Sequence, residues 1–215
     1  MFVFYATYIV PASALIPIFI GLNNYRFLPA AFKILLAFVI FGSLFNLLMI
    51  IIASKGYYTV KLMSFYTAME FAFIAAMFSR IFDKKWRVSI YILVAVFAAL
   101  CTFNQVFIQN KIEFNTYTRP IGALIIVAFC MAYTIKNSSN LRPWAADSFN
   151  WVNTGILIFY AVGFFMFVSY NFFLKRTLFS DIIWGLIDTI LIIEYILFAI
   201  GFSKCRSQTT TIPQS

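Results

Sequence analysis

Residues 59–81 read TVKLMSFYTAMEFAFIAAMFSRI. A helix that crosses a bilayer needs about 20 mainly apolar residues, and this run supplies them with one acid, Glu70, near its middle. A charged acid at the bilayer centre costs about 2.5–3.5 kcal/mol on insertion scales. If the run is a span, Glu70 needs a reason to be there. The rest of the sequence decides whether it is a span.

The chain has 215 residues, 63% hydrophobic and only 11% charged. A soluble domain carries about 25% charged residues, so a soluble fold of this length cannot cover the apolar surface. Six further runs resemble the first. Together the seven spans are 3–22, 31–53, 59–81, 88–108, 118–135, 149–173 and 179–203. Short connections separate them: NNYRFLP, SKGYY, DKKWR, QNKIEFN, KNSSNLRPWAAD and LKRTLFS. We expect an all-α, seven-helix transmembrane domain over residues 1–204 and a short, disordered cytoplasmic tail over 205–215. The first run has no preceding positive charge, is interrupted by Pro11 and Pro17, and lacks a clean small-residue cleavage site. It reads as a span rather than a signal peptide.

Basic residues set the expected orientation. One side holds Arg26, Lys33, Arg80, Lys84, Lys85, Arg87, Lys136, Arg142, Lys204 and Arg206; the other holds Lys55, Lys61, Lys111, Arg119, Lys175 and Arg176. The richer side is expected in the cytoplasm, with the N-terminus outside. The net charge of +9 is spread among these gaps. That distribution suits membrane topology and argues against nucleic acid as a partner.

Several chemistries are excluded. There is no histidine, which removes His-based metal sites and Ser-His or Cys-His catalysis. Cys101, Cys130 and Cys205 show no CxxC spacing and read as free thiols. The last span has only the terminal Lys204, so no mid-membrane lysine is present to hold retinal. No cofactor is expected. No phosphate-binding loop or nucleophile elbow is visible.

What remains is polar chemistry inside the bundle. Three acids are deep: Glu70 in the third span, and Asp188 and Glu194 in the seventh. Every Lys and Arg lies within about two turns of a span end, where it is expected to snorkel outward. Neutral hydrogen-bond partners are therefore expected. Tyr66 lies one turn before Glu70 on the same helical face. Asp181, Trp184, Asp188 and Tyr195 share one stripe of the last span, and Glu194 points about a third of a turn away. Asn46, Asn153 and Thr154 add amide and hydroxyl groups, which in membranes often serve only as packing glue. The candidate binding or proton-sensing residues are Glu70, Tyr66, Asp188, Asn153, Glu194 and Asn46. Gly155 and Gly163 are expected to let a neighbouring helix approach.

Three segments carry a family resemblance: LMSFYTAMEFAFIAAMFSRIF (62–82), FNWVNTGILIFYAVGFFMF (149–167) and IIWGLIDTILIIEYILFAIGFSK (182–204). They resemble a group of uncharacterised seven-span inner-membrane proteins of Bacteroidota. That group has a Tyr-Thr-x-x-Glu-Phe pattern, matched by Tyr66, Thr67, Glu70 and Phe71. Its Trp-x-Asn-x-Gly pattern is matched by Trp151, Asn153 and Gly155, and its last-span exit by Ile200, Gly201, Phe202 and Lys204. The chain departs from the group at Asp188 and Glu194, where relatives tend to His or Asn. The resemblance implies an inner-membrane location and a signalling or sensory role beside a membrane partner such as a sensor histidine kinase.

The function expected first is thus a small sensor or transducer subunit that responds to a proton, a small molecule or a lipid. A proton-coupled carrier is the alternative, since deep acids without basic partners suit proton movement. An acid-dependent intramembrane enzyme is third; it would need paired acids beside an open pocket.

Overall fold

The computed structural model describes residues 4–57, 60–108, 117–138, 143–169 and 178–210. Among them the regular structure is entirely helical. Seven helices are long and apolar enough to cross a membrane: α1 Tyr5–Asn23, α2 Ala30–Ser54, α3 Leu62–Ser79, α4 Lys84–Phe107, α5 Thr118–Asn137, α6 Ser148–Ser169 and α7 Ser180–Ser207. Their bounds agree with the expected spans to within a few residues at most ends. The exceptions have local causes. Pro11 and Pro17 remove backbone donors inside α1, which opens with a π turn over Tyr5–Ile9. The seventh helix runs on to Thr210, so the expected tail is helical from Cys205 to that point and Cys205 is buried. Residues 211–215 lie outside the described residues, as do Lys111, Arg142, Lys175 and Arg176 of the charge comparison and residues 170–173 of the expected sixth span.

Each helix packs against the next in the chain, and α7 returns to α1. Tyr5 Oη and Thr189 Oγ1, 2.9 Å apart, join those two. The third helix also touches α5 and is the most enclosed: half of its most apolar stretch is buried, against 17% for α7. The core is aromatic. Phe32, Phe71, Phe78, Phe97, Phe198 and Phe202 are fully enclosed, and the Phe71 and Phe97 ring centroids are 4.1 Å apart. Much of the outer surface is also apolar, with Phe19, Ile135 and Phe165 among its most exposed side chains. Water would not tolerate that surface, whereas lipid matches it.

Glycines set two close helix contacts. A Cβ on Gly155 would stand 3.4 Å from the Glu194 carbonyl oxygen, and one on Gly201 would stand 3.0 Å from the Ser148 carbonyl oxygen. The small residues on α6 and α7 therefore bring the two backbones together. Gly163 does not do so: its nearest neighbour is the ring of Phe167 on its own helix. Gly56, at φ +78°, turns the chain out of α2 in a conformation that other residues adopt reluctantly.

Candidate functional site

Near the midpoint of α3, Glu70 is 6% exposed. Its hydrogen bond comes from α6, where the Tyr160 hydroxyl donates to Glu70 Oε1 at 2.8 Å. The Tyr66 hydroxyl, expected in that role, lies against α2 while remaining within electrostatic range of Glu70, Glu194 and Arg119. Its ring stacks on Phe41 at 6.2 Å between centroids, and its oxygen lies 3.3 Å from the space a Gly42 Cβ would fill. Spacing of i, i+4 placed Tyr66 on the same face as Glu70, but a carboxyl on the enclosed side of α3 reaches across the bundle rather than along its own helix.

Glu194, near the middle of α7, is 5% exposed and lies within electrostatic range of both Glu70 and Tyr160. The close contact at Gly155 brings α7 in to this level. Asp188 is different. It is only partly buried and has no charged neighbour among the described residues. Of the two deep acids in the last span, the structure thus groups Glu194 with Glu70 and leaves Asp188 apart.

A cation also reaches the cluster. Arg119 opens the first turn of α5, and its guanidinium lies over the Phe167 ring at 4.3 Å rather than snorkelling away. Arg119, Glu70, Thr67 and Tyr160 line a cavity of about 10 Å3, close to the least that holds one water molecule. Phe97 closes one wall by seating its ring against Gly122, where a Cβ would be 2.8 Å away. With Arg119 charged, the set of Arg119, Glu70 and Glu194 is electrically balanced when one acid is ionised and the other protonated. The expectation that no base lies near the deep acids is corrected here: distance from the span end was a poor guide to where a long side chain folds.

The remaining candidates lie elsewhere. Asn46 is exposed on the outer face of α2 rather than inside the bundle. Asn153, 4% exposed, donates through Nδ2 to Thr134 Oγ1 at 3.1 Å and to the Cys130 carbonyl oxygen at 3.4 Å. It does not line the Glu70 cavity but a second, polar cleft at one end of α5 and α6. Glu70, Asp188 and Asn153 therefore do not converge. Tyr160 and Arg119 were missed. Tyr160 lies seven residues after Asn153, two helical turns on, and that spacing on a largely apolar helix was the available signal.

Among the described residues no cluster of acids and thiols has the arrangement to hold a metal. Comparisons with protein families, curated proteins and solved structures find no match.

Proposed function

We propose that this chain is a small sensor or transducer subunit of a bacterial inner membrane, in which the Glu70–Tyr160–Glu194 cluster responds to a proton. The observation that supports it is the Tyr160–Glu70 hydrogen bond with Glu194 in electrostatic range, which links three different helices through ionisable groups. Moving one proton changes the charge that α3, α6 and α7 must accommodate in a low-dielectric interior, where such changes have large energetic effects. A shift in the packing of those helices is then readable on the lipid-facing surface by a membrane partner, such as a kinase. In this reading the C-terminus faces the cytoplasm, as the basic residues suggest.

The enclosure of the cluster favours sensing over the alternatives. A cavity of about 10 Å3 admits a water molecule but no substrate. The test is an infrared difference spectrum of the protein in nanodiscs across neutral and acid pH, together with proton flux in proteoliposomes. A carboxyl band that appears with acid, vanishes in Glu70→Gln and accompanies altered amide exchange in α3 and α6, without proton flux, is the expected result. A silent spectrum sinks the sensing role. Flux that Glu70→Gln stops would put the proton-coupled carrier in its place.

A further inference from the structure

The buried polar side chains of α3 lie mostly to one side of Glu70. Ser64, Thr67 and Glu70 recur every three residues and are 5%, 4% and 6% exposed. Residues three apart are neighbours on a helix surface, so the three form a slanting column from the start of α3 to its middle. Two more helices bring polar groups to the same end of the bundle, where α3 and α5 begin and α4 ends. The α4 helix closes in a π turn over Asn104–Ile108, a departure from α geometry that is frequent at functional sites. Asn104 is buried there, and Gln105 Oε1 accepts a hydrogen bond from the Ser64 hydroxyl. The α5 helix opens with the buried Thr118 and with Arg119, which lines the Glu70 cavity together with Thr67.

Toward the other end the chemistry changes. Ser79 lies about 14 Å further along α3. Every buried side chain between Glu70 and Ser79 on that helix is apolar, Ile74 and Phe78 among them. Ile126 on α5, Ile156 on α6 and Phe198 on α7 belong to the same continuous core, each at most 1% exposed. Ile156 stands between Tyr160 and Asn153 along α6, and so between the cluster and the polar cleft. Close-packed hydrocarbon of this kind holds no water.

We propose that the mid-span cluster takes its proton from one side of the membrane only, the side on which α3 and α5 begin, along the column of Ser64 and Thr67. This deepens the proton-sensing reading and rests on it. Hydroxyls both donate and accept, and the cavity between Thr67 and Glu70 has room for about one water molecule. A proton leaves a hydronium ion in the bulk and ends on the Glu70 carboxylate. Each hydroxyl on the way releases one proton as it accepts another, so the column itself is unchanged. The groups facing Glu70 are Tyr66 on its own helix, Arg119 on α5, Tyr160 on α6, and Glu194 and Tyr195 on α7. The α4 helix presents the Phe97 ring, and α2 meets Tyr66 through Phe41 and Phe45. The charge of Arg119 slows the incoming proton but leaves the equilibrium to the cluster. By the distribution of basic residues the entrance faces outward from the cell, so the pH that is sensed is the external one.

The experiment is an external acid jump on proteoliposomes, followed by rapid-scan infrared at the carboxyl band that Glu70→Gln removes. A pH dye in the lumen times the leak. Orientation is read with Lys85→Cys, whose exposed site lies between α3 and α4 at the end opposite the column. An impermeant thiol reagent labels the molecules that present this site outward. In a preparation of unequal orientation, the fraction of the band that rises before the lumen acidifies should equal the unlabelled fraction. Thr67→Val with Ser64→Ala should slow that rise at least tenfold and keep its final amplitude, whereas Ser79→Ala should leave the rate unchanged. A fast fraction equal to the labelled one overturns the proposal. So does a fast rise in all molecules, a rise that always waits for the lumen, or a rate that the double variant leaves intact. In each of those cases the sensing reading stands, because the band still responds; a band that never appears removes both.

Discussion

Near mid-span, Glu70, Tyr160 and Arg119 line a void of about 10 Å3; at one end of α5 and α6, Asp147, Asn150 and Asn153 line a cleft of about 320 Å3. Both regions are built from polar side chains on mainly apolar helices. They differ in how those side chains are satisfied. The mid-span groups turn toward one another across three helices, because the hydrocarbon offers them no other partner. The groups at the helix ends are satisfied mostly by each other and by the Trp144 carbonyl, around a cleft of far larger volume. Enclosure favours a response to the smallest ligand, a proton.

The harshest way to break the comparison is at Gly155, which lies between the two regions. Gly155→Leu would drive a side chain into the Glu194 carbonyl and Leu197, which a Cβ alone would approach to 3.4 and 3.3 Å. Overpacking of this kind costs about 2–3 kcal/mol, and it would move Glu194 away from Glu70. Thermal unfolding in detergent should fall sharply, and the pH response should go with it. An unchanged midpoint would show that the α6–α7 contact is loose.

A second change tests the cleft alone. Asn150→Leu deletes the acceptor shared by Tyr133 and Asn137. Tyr133 keeps Asp147, so the loss should be about 1–2 kcal/mol rather than the full cost of an orphaned group. Amide exchange should quicken at the start of α6 and stay slow around Glu70. Equal quickening in both places would mean that the two regions are one cooperative unit.

A third change sharpens the mid-span region. Tyr160→Phe removes the donor to Glu70 for about 1 kcal/mol. It should shift the Glu70 carboxyl band in the infrared, whereas Tyr66→Phe should leave that band in place. The reverse result would restore Tyr66 as the partner.

These pairs also show what the sequence could and could not tell. The spans were legible because lipid demands long continuous apolar runs, a signal that needs no knowledge of neighbours. The facing of each helix was not. A span that is apolar nearly all round has little periodicity to mark its inner side, so Glu194 and Asp188 looked equally deep and Asn46 looked internal. Tyr160 is 90 residues from Glu70, and only packing brings them together. Arg119 was misjudged for a related reason: its position near a helix end says nothing of the direction its side chain takes. The cleft left a fainter trace. Asp147, Asn150 and Asn153 recur every three residues at the start of α6, a spacing that puts polar groups on one face.

The smallest effect is expected outside the membrane, where an acid has the opposite surroundings to Glu70. Asp83 is fully exposed between α3 and α4 and accepts a hydrogen bond from Lys136 Nζ at 2.7 Å. That hydrogen bond, and then the lysine charge, hold its carboxyl below the usual carboxylate range. The folded state thus binds this proton less readily than the unfolded chain. Its contribution is present above the unfolded-state value and fades as pH falls through the lower folded-state value. Salt should weaken it at neutral pH, because exposed pairs are screened. Asp83→Asn should therefore lower the unfolding midpoint only slightly at low salt and not at all at high salt. Salt should leave the response assigned to Glu70 nearly untouched, since enclosed charges are screened far less. If added salt altered the Glu70 response as much as it altered Asp83, the mid-span cluster would have to be open to solvent.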